Sequence, residues 1–529
     1  MKNQSKLLIV LAFVMGIFIS CNNAKKEQKF ELDGTITGIK VGKINLVNYS
    51  DPKRKTYTAE IKEGKFKFEI DFKVPQKCGL YIDGKSRNRV SFYAENVKMT
   101  FTGDAQKINQ AKIDGCQLNI DSKRYYQGLN KIKAKLRAIY NKFGKNTSDK
   151  DKATILQELQ DVGEKVRLES ESYFKTFIKE NPKCKFSAVL LVEEAIEMSG
   201  NDMMKLVELL DPKLQKSPIL TEFINKAKGL QKVEVSLNDF MKNVNDVNYK
   251  ADTKFEGTKY TNIKYLANIE NKNICALKDD GTIFILDSEG KELTSFKAKI
   301  NGIPSSIATD TDNNIYILSC ITKVEIKKFR GKERKRRVPI GVECGVFDKT
   351  GKKINKLELK DLKTATGARV VENNLIVSDC STKKLVIFNK STGKKSAEIT
   401  DMRPCCGILD FSVNDKKEIL VADLGAFRVQ GFNFKGEKTL SFGKRGRGLN
   451  EFHGCCNPVS VAYLNGGAIV TVEKSPTRIK IYSKQGAKQI QGIQELVKGC
   501  SYIPMTVDCK DNLYLASPKK GIVKCIAAK

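Results

Sequence analysis

The sequence predicts a multidomain, mainly β protein with an N-terminal antiparallel β-sandwich, an α-helical middle segment and a C-terminal six-bladed β-propeller. Polar and apolar residues alternate with the period of β-strands over residues 30–115, and apolar residues recur with a helical period over residues 116–240. Strand alternation returns in residues 251–529, where similar segments repeat at a spacing typical of propeller blades. At 529 residues the chain is long enough for several separate hydrophobic cores.

The N-terminus has the pattern of an export signal. A short basic region, residues 1–6, precedes the apolar run of residues 7–19, which is too short to span a bilayer comfortably. We therefore expect a location in the cell envelope, on the periplasmic or the cell-surface side. Disulfides can persist in such compartments.

The end of this signal contains a candidate lipidation site. Residues 18–21, which end in Ser20 and Cys21, resemble a bacterial lipobox, although Phe18 stands where leucine is usual. The resemblance implies a lipoprotein signal peptide over residues 1–20, lipidation of Cys21 and a linker over residues 21–29. A plain secretory signal or an uncleaved anchor is the alternative. Lipidation of Cys21 would leave 14 of the 15 cysteines, an even number.

The chain is strongly basic. Its 94 Lys and Arg residues against 61 Asp and Glu residues give a formal net charge of +33, which favours acidic partners. Because an exported protein is not expected to meet nucleic acid, we predict no nucleic-acid partner. The predicted partners are the membrane, reached through the N-terminal lipid, and an anionic envelope component or a protein. Solubility alone would also account for the charge.

The sandwich is predicted from short alternating runs that end at Gly and Asp. Residues 32–36, residues 64–66, Phe68 and residues 91–97 resemble a domain of unknown function found at the N-termini of envelope thiol-disulfide oxidoreductases in some Gram-negative bacteria. The resemblance implies an architecture rather than a chemistry.

The middle segment, residues 116–240, has apolar residues on helical stripes, and Ser148 is a suitable N-cap for a second long helix. In the oxidoreductases just mentioned a helical segment also follows the N-terminal domain, and a thioredoxin domain with Cys-x-x-Cys comes next. This chain contains no Cys-x-x-Cys, so thioredoxin-type chemistry is not expected.

Three consecutive segments of the C-terminal half share one pattern, in which an apolar strand ends in an acid and a base follows five residues later. The pairs are Asp379 and Lys384, Asp423 and Arg428, and Glu473 and Arg478. Because they recur in successive repeats, we interpret them as structural ion pairs. The order of apolar strand, acid, short loop and basic strand resembles the NHL-repeat propeller family.

Fragments around Ile283, Ile315 and Leu513 supply the remaining blades, which makes six. The chain ends soon after the third strand of its last blade. We therefore predict that residues 255–262 supply the missing outer strand and close the ring, since closure removes exposed sheet edges.

A basic insertion, residues 327–337, interrupts one blade, which resumes near Val346. We predict a solvated loop for this insertion. Contact with an anionic envelope partner is the second interpretation.

Seven cysteines are predicted to lie on one rim of the propeller, because loops that enter the first strand of a blade and leave its second strand share a face. The rim cysteines and the single histidine of the chain, which together form the candidate site, are Cys320, Cys380, Cys405, Cys406, Cys455, Cys456, Cys500 and His453. Cys275, Cys509 and Cys525 are expected in strands or on the other face.

Several interpretations of the rim cysteines stay open. They could form disulfides between blades, which stabilise a fold by a few kcal/mol each. They could bind a soft or borderline metal, Cu or Zn, together with His453. They could also act as exchangeable redox thiols, or be simple buried thiols.

We expect an exported lipoprotein whose propeller is a ligand- or protein-binding scaffold. The alternative is a metal-binding or thiol redox or electron-transfer protein that uses the rim cluster. With one histidine, with no convincing phosphate-binding glycine loop and with no prominent carboxylate pair, hydrolase and nucleotide chemistry are disfavoured.

Overall fold

The structure is a computed structural model that describes residues 28–51, 53–142, 148–195, 198–234, 241–329, 332–497, 502–517 and 520–528. The chain divides into two compact units. The first comprises the described residues up to Ala195 together with Met204–Asn225, and the second comprises Ile196–Met203 and Lys226–Lys529. The mainly β fold class with its three parts is confirmed.

The N-terminal strands form one eight-stranded sheet in the order β6-β5-β2-β3-β4-β1-β7-β8. The strands are β1 Phe30–Thr37, β2 Val41–Asn48, β3 Thr56–Lys62, β4 Lys65–Ile70, β5 Gln76–Ile82, β6 Val90–Ala94, β7 Lys98–Asp104 and β8 Lys112–Asp114. Neighbouring strands are antiparallel except β1 and β7, which are parallel because the chain passes through β5 and β6 at the far end of the sheet before it returns. Strand β1 buries every second residue, which is the predicted alternation.

Six helices follow within the described residues. They are α1 Gln117–Tyr140, α2 Asp149–Glu180, α3 Lys185–Glu194, α4 Gly200–Glu208, α5 Pro212–Gln215 and α6 Pro218–Glu234. Ser148 caps α2 as predicted, since its hydroxyl accepts a hydrogen bond from the backbone amide of Asp151. Among the described helices none combines the length and the apolar character needed to cross a membrane.

The C-terminal part is a six-bladed propeller in which each blade is a four-stranded antiparallel sheet. The strands of each blade are given from the inner to the outer edge. Blade one is β10 Ile263–Ile269, β11 Asn273–Lys278, β12 Thr282–Leu286 and β13 Glu292–Lys297; blade two is β14 Ile303–Thr309, β15 Ile315–Phe329, β16 Lys332–Phe347 and β17 Lys353–Glu358; blade three is β18 Gly367–Val371, β19 Asn374–Asp379, β20 Lys384–Asn389 and β21 Lys395–Ile399. Blade four is β22 Asp410–Val413, β23 Glu418–Asp423, β24 Arg428–Asn433 and β25 Lys438–Phe442; blade five is β26 Ser460–Tyr463, β27 Ile469–Glu473, β28 Arg478–Ser483 and β29 Gly486–Gln489; blade six is β30 Met505–Val507, β31 Leu513–Ser517, β32 Gly521–Ala528 and β9 Asn248–Ala251.

The ring closes as predicted by an N-terminal outer strand, but the predicted residues are wrong. Strand β9, Asn248–Ala251, pairs with β32, whereas residues 255–262 contain the short 3₁₀ helix Glu256–Lys259. Neighbouring strands of a blade lie about 4.8 Å apart. A chain that passes from the outermost strand of one four-stranded blade to the innermost strand of the next must therefore cross roughly 14 Å. Residues 255–262 directly precede β10 and are needed for that crossing, so the outer strand lies earlier.

The basic insertion is also different from the prediction. It is a two-stranded extension of β15 and β16, with pairing that continues from Ile321 and Gly341 out to Phe329 and Lys332. Positions 330–331 lie outside the described residues. Val324 and Ile326 alternate with charged residues along this extension, and this period of two favours a strand over a loop.

Candidate functional site

The inner strands of the six blades surround a central channel and give the propeller two distinct faces. Turns that follow the inner strands open on one face, which we call the funnel face. Loops that lead into the inner strands open on the other, which we call the cysteine face because Cys405 and Cys406 precede β22 and Cys455 and Cys456 precede β26.

Four sulfur atoms meet where the loops of blades four and five approach one another. The Sγ atoms of Cys405 and Cys456 lie at disulfide-bonding distance, and their Cα atoms are 6.4 Å apart. The Cys406 Sγ lies 3.6 Å from that of Cys405 and 3.9 Å from that of Cys456. The Cys455 Sγ lies 3.5 Å from that of Cys456. We call these residues the four-cysteine cluster.

The loop of blade four is a tight turn that presents both of its sulfur atoms to the neighbouring blade. The amide of Ile408 donates a hydrogen bond of 2.9 Å to the carbonyl of Cys405. Cys406 has a φ of 54°, in the left-handed region that a side chain rarely adopts. The turn therefore brings two vicinal side chains to one side of the loop, where an extended backbone would point them apart.

The loop of blade five is held by its own contacts. Gly454 has a φ of 92°, and a Cβ atom there would lie 2.9 Å from the carbonyl oxygen of Ser475, so only glycine fits. The buried Asn457 side chain bonds both the carbonyl and the amide of Lys474, at 2.9 and 2.8 Å. These contacts anchor the loop to the end of β27.

His453 does not join the four-cysteine cluster, contrary to our prediction. Its Nε2 atom accepts a hydrogen bond of 3.2 Å from Arg447 Nε, and its backbone amide donates one of 2.8 Å to the Glu473 carboxylate. Among the described residues, the group with sulfur, imidazole or carboxylate atoms close enough to share a metal ion contains only Cys405, Cys406 and Cys456. Although His453 lies only two residues before Cys455 in the sequence, its imidazole does not lie beside the sulfur atoms of the cluster.

Of the other rim cysteines, the described Cys320 and Cys380 do not join this cluster. The Cys380 Sγ lies 3.5 Å from the Thr364 hydroxyl, and burial raises the pKa of its thiol. Cys320 and Cys380 both lie near Tyr265, a residue of the innermost strand of blade one. Cys500 and the lipidation candidate Cys21 lie outside the described residues.

Of the three predicted ion pairs, the structure forms one. The Arg478 guanidinium lies 2.8 Å from the buried Glu473 carboxylate, and Lys480 lies 3.0 Å from the same group. The predicted pairs are not formed in blades three and four, because backbone amides and uncharged side chains donate hydrogen bonds to Asp379 and Asp423 instead.

Asp379 accepts hydrogen bonds from the amide of Lys363 at 2.7 Å and from the Thr364 hydroxyl at 2.5 Å, while Lys384 pairs with Glu398 at 2.9 Å. The loop before the inner strand thus takes the place of the predicted base. The buried carboxylate instead ties that loop to the end of β19.

In blade four the carboxylate of Asp423 is bonded by the Arg403 amide at 2.6 Å and by the side chain of Gln430. Arg428 donates instead to the backbone carbonyl of Met198. Asp379 and Asp423 therefore share a function, since both hold the loop that enters their own blade.

The funnel face has a cavity of about 580 Å³ at the end of the channel. All six blades contribute to its wall through the ends of their inner strands and the turns that follow. The charged lining residues among those described are Glu270, Asp310, Arg369, Glu372, Asp415 and Asp508. Cys509, an exposed free thiol, also lines the cavity, so the expectation that it lies on the other face is met.

Several of these carboxylates have partners outside the cavity. Asp310 pairs with Lys390 at 3.0 Å and Glu372 pairs with Lys417 at 2.9 Å. Asp415 is exposed at the rim. The cavity is thus polar and rich in hydrogen-bond acceptors, in a chain that is strongly basic as a whole.

Two of the rim turns have the same architecture, which the sequence analysis missed. In blade two, Asp310 accepts hydrogen bonds from the amide and the side chain of Asn314 and from the Tyr316 hydroxyl. In blade six, Asp508 has the same bonds from Asn512 and Tyr514. The spacing Asp-x-x-x-Asn-x-Tyr occurs in both blades and was a detectable signal.

A polar cluster inside the channel was missed as well. The buried Asp410 carboxylate accepts from the Tyr502 hydroxyl at 3.1 Å and from the Val461 amide at 3.3 Å, and Arg369 Nη2 lies 3.5 Å away. Burial raises the pKa of Asp410, and the Arg369 charge opposes this. The detectable signal was a charged residue in each of two inner strands, Arg369 in β18 and Asp410 at the start of β22.

These features define a β-propeller protein with a polar cavity at one end of its channel and a cluster of cysteines at the other. Its N-terminal domain matches, over residues 30–121, the family model described as Domain of unknown function (DUF4369). A search among curated proteins gives no match.

Solved propellers resemble the structure. A streptogramin B lyase aligns at 10% identity over 53% of this chain and 98% of its own, with a TM-score of 0.37. A virginiamycin B lyase from Staphylococcus aureus aligns at 12% identity over 53% and 99%, with a TM-score of 0.36. The WD40 propeller domain of Doa1 aligns at 10% identity over 53% and 97%, with a TM-score of 0.35.

Proposed function

We propose that the protein is an exported lipoprotein whose propeller, of the NHL-repeat type, acts as a binding scaffold and receives a polar ligand in the cavity on the funnel face. The observation that carries this proposal is the cavity itself, of about 580 Å³. Its volume lies within the range of roughly 300–1,000 Å³ that is usual for small-molecule sites.

The chemistry of the wall indicates the class of ligand. Carboxylates such as Asp415 and Glu372 and amides such as Asn414 and Asn465 offer acceptors around the rim, while Arg369 is the basic residue among the described lining residues. A ligand with several hydrogen-bond donors, such as an amine, a short peptide or a sugar, fits this set better than an apolar ligand does. The inner strands that carry the wall are rigid elements, which favours a preformed site.

Cys509 provides a direct test, because its exposed thiol lines the cavity whereas the exposed thiols of Cys406 and Cys455 lie on the opposite face. Amino acids, dipeptides, polyamines, monosaccharides and disaccharides would be screened for protection of Cys509 from alkylation, measured by peptide mass spectrometry. We expect a bound ligand to slow alkylation of Cys509 by about tenfold at saturating concentration. Alkylation of Cys406 and Cys455 should not change.

A pair of charge reversals supplies the control. Asp415→Lys alters the exposed rim of the cavity, and Asp279→Lys makes the same change at an exposed position in the turn between β11 and β12, on the cysteine face. We expect Asp415→Lys to weaken binding of the protecting ligand by about fivefold or more, and Asp279→Lys to leave it unchanged. A panel in which no ligand protects Cys509, or in which both variants bind equally well, would contradict the proposal.

The anchoring part of the proposal rests on the N-terminal sequence. Residues 18–21 resemble a lipobox, and residues 32–36 and 91–97 resemble a domain of unknown function that precedes envelope oxidoreductases. A lipid on Cys21 would hold the basic chain near a membrane surface, where an anionic envelope component is the partner that its charge favours.

A further inference from the structure

The four-cysteine cluster has a geometry that a structural staple does not require. One bond between Cys405 and Cys456 would link blades four and five, yet two more sulfur atoms approach the same point. Each blade contributes a vicinal pair. The Sγ atoms of Cys405, Cys406 and Cys456 lie within 4.8 Å of one another, and the Sγ of Cys455 lies next to that of Cys456. We propose that, with its cysteines reduced, this cluster binds one thiophilic metal ion, Zn²⁺ or Cu⁺, between blades four and five.

The sulfur separations agree with those around a metal ion. Thiolates bind Zn²⁺ at about 2.3 Å, so two of them at the corners of a tetrahedron lie about 3.8 Å apart. The contacts of Cys406 with Cys405 and Cys456 measure 3.6 and 3.9 Å, and Cys455 lies 3.5 Å from Cys456. The Cys406 Sγ therefore already lies at metal-site distances from those of Cys405 and Cys456. The bonded sulfur atoms of Cys405 and Cys456 would move apart on reduction, and Cys455, next to Cys456, would supply the fourth ligand.

The loops limit the rearrangement that binding would need. The hydrogen bond between Ile408 and Cys405 fixes the turn of blade four, and Asn457 fixes the loop of blade five directly after Cys456. A site whose ligands are held before the metal arrives loses less conformational entropy on binding. The two loops belong to adjacent blades, so the metal would join the blades as the disulfide does.

The donor set selects the kind of metal. His453 is held by Arg447 and the ligands that remain are all sulfur, which favours soft ions over Mg²⁺ or Ca²⁺. Four thiolates around a divalent ion carry a net charge of about −2, which suits a chain of net charge +33. Cys406 and Cys455 are exposed, so the ion could enter and leave from solvent.

Binding itself involves no change of oxidation state. Each of the four thiols releases its proton to solvent and forms a sulfur–metal bond. The disulfide between Cys405 and Cys456 must first be reduced by a dithiol or a phosphine, which supplies two electrons while solvent supplies two protons, because a disulfide sulfur has no thiolate to donate. The oxidised cluster is therefore not expected to bind the metal.

The test uses the full chain, reduced with a phosphine under anaerobic conditions and titrated with Co²⁺ as a spectroscopic substitute for Zn²⁺. We expect sulfur-to-cobalt charge-transfer absorption that saturates at one ion per chain and is lost when Zn²⁺ is added. Cys406→Ser and Cys455→Ser each remove an exposed ligand without touching the disulfide pair, and each should weaken binding by about tenfold or more. Cys509→Ser, an exposed cysteine on the funnel face, is the matched control and should bind as the unmodified chain does.

A second measurement does not depend on variants. Zn²⁺ should protect the four cysteines of the cluster, but not Cys509, from alkylation in the reduced unmodified chain. The proposal is overturned if the reduced chain gives no charge-transfer absorption, or if Cys406→Ser and Cys455→Ser bind as well as Cys509→Ser. It is also overturned if the disulfide can be reduced only after the protein unfolds, because the cluster is then a permanent staple. These results leave the ligand proposal for the funnel face unaffected, since that cavity lies at the other end of the channel.

Discussion

Lys480 is buried inside the propeller, although lysine side chains are usually exposed. It is fully buried in β28, 3.0 Å from Glu473, and it donates to the backbone carbonyls of Leu449 and Glu451 at 3.0 and 2.8 Å. Its ammonium group also lies 4.2 Å from the centre of the Phe452 ring. Burial lowers the pKa of Lys480 to about 8, although the Glu473 charge opposes this.

This shift predicts a dependence of stability on pH. The folded protein releases the Lys480 proton near pH 8, whereas the unfolded chain releases it near the usual value of 10.5. Between these values the unfolded state binds more protons, so the free energy of unfolding rises with pH, by on the order of 1 kcal/mol from about pH 7 to about pH 9. Urea unfolding at both pH values would measure the rise.

The rise should disappear in Lys480→Met, in which Glu473 keeps its contact with Arg478 at 2.8 Å. It should persist in Lys435→Met, which changes an exposed lysine in the turn between β24 and β25. Equal pH dependence in the unmodified protein and in Lys480→Met would show that another group is responsible.

At the scale of elements, the propeller depends on the short strand β9. Four residues of this strand pair with β32 and cover its outer edge, which makes the sixth blade a four-stranded sheet. Tyr249 is its anchor: the ring is buried and the hydroxyl donates a hydrogen bond of 2.8 Å to the carbonyl of Asp511.

A graded series at Tyr249 tests this closure. Tyr249→Phe should lower the free energy of unfolding by about 1 kcal/mol, because it removes one hydrogen bond. Tyr249→Ala should lower it by about 3–5 kcal/mol and should promote self-association, because the edge of β32 becomes available for pairing. Lys250→Ala, an exposed position on the same strand, is the control for both.

Urea unfolding and size-exclusion chromatography would follow the two effects. If Tyr249→Ala unfolds at the same urea concentration as Lys250→Ala, the closing strand contributes little to stability. The propeller would then not require β9 to pair with the outer edge of β32.

At the scale of the whole molecule, the proposed lipid and the positive charge would act together. A net charge of +33 attracts the chain to anionic surfaces, but salt screens such attraction, whereas a lipid anchor is not screened. The two contributions to membrane association can therefore be separated by ionic strength.

We expect Cys21→Ala to leave the membrane fraction after a high-salt wash, while the unmodified protein stays in it. Cys509→Ala should behave like the unmodified protein, since it removes a cysteine of the propeller. The measurement is fractionation of cells followed by immunodetection. Retention of Cys21→Ala after the wash would contradict lipid anchoring through this residue.

Local spacing in the sequence is enough to predict several features of the fold. A period of two predicts strands such as β1, and the recurrence of similar segments predicts the six blades. It also predicts that a vicinal pair such as Cys405 and Cys406 precedes an inner strand. Such features follow from the order of residues within one element or one repeat, so no information from distant parts of the chain is needed.

Which side chains meet depends on how distant parts of the chain fold together. Cys405 approaches Cys456 because the backbone conformations at Cys406 and Gly454 and the spacing of adjacent blades turn their loops toward each other. His453, which is closer in sequence to the cysteines, is instead held by Arg447. Contacts between residues far apart in sequence depend on loop conformation and on competition among donors, and neither is encoded in the spacing of a repeat.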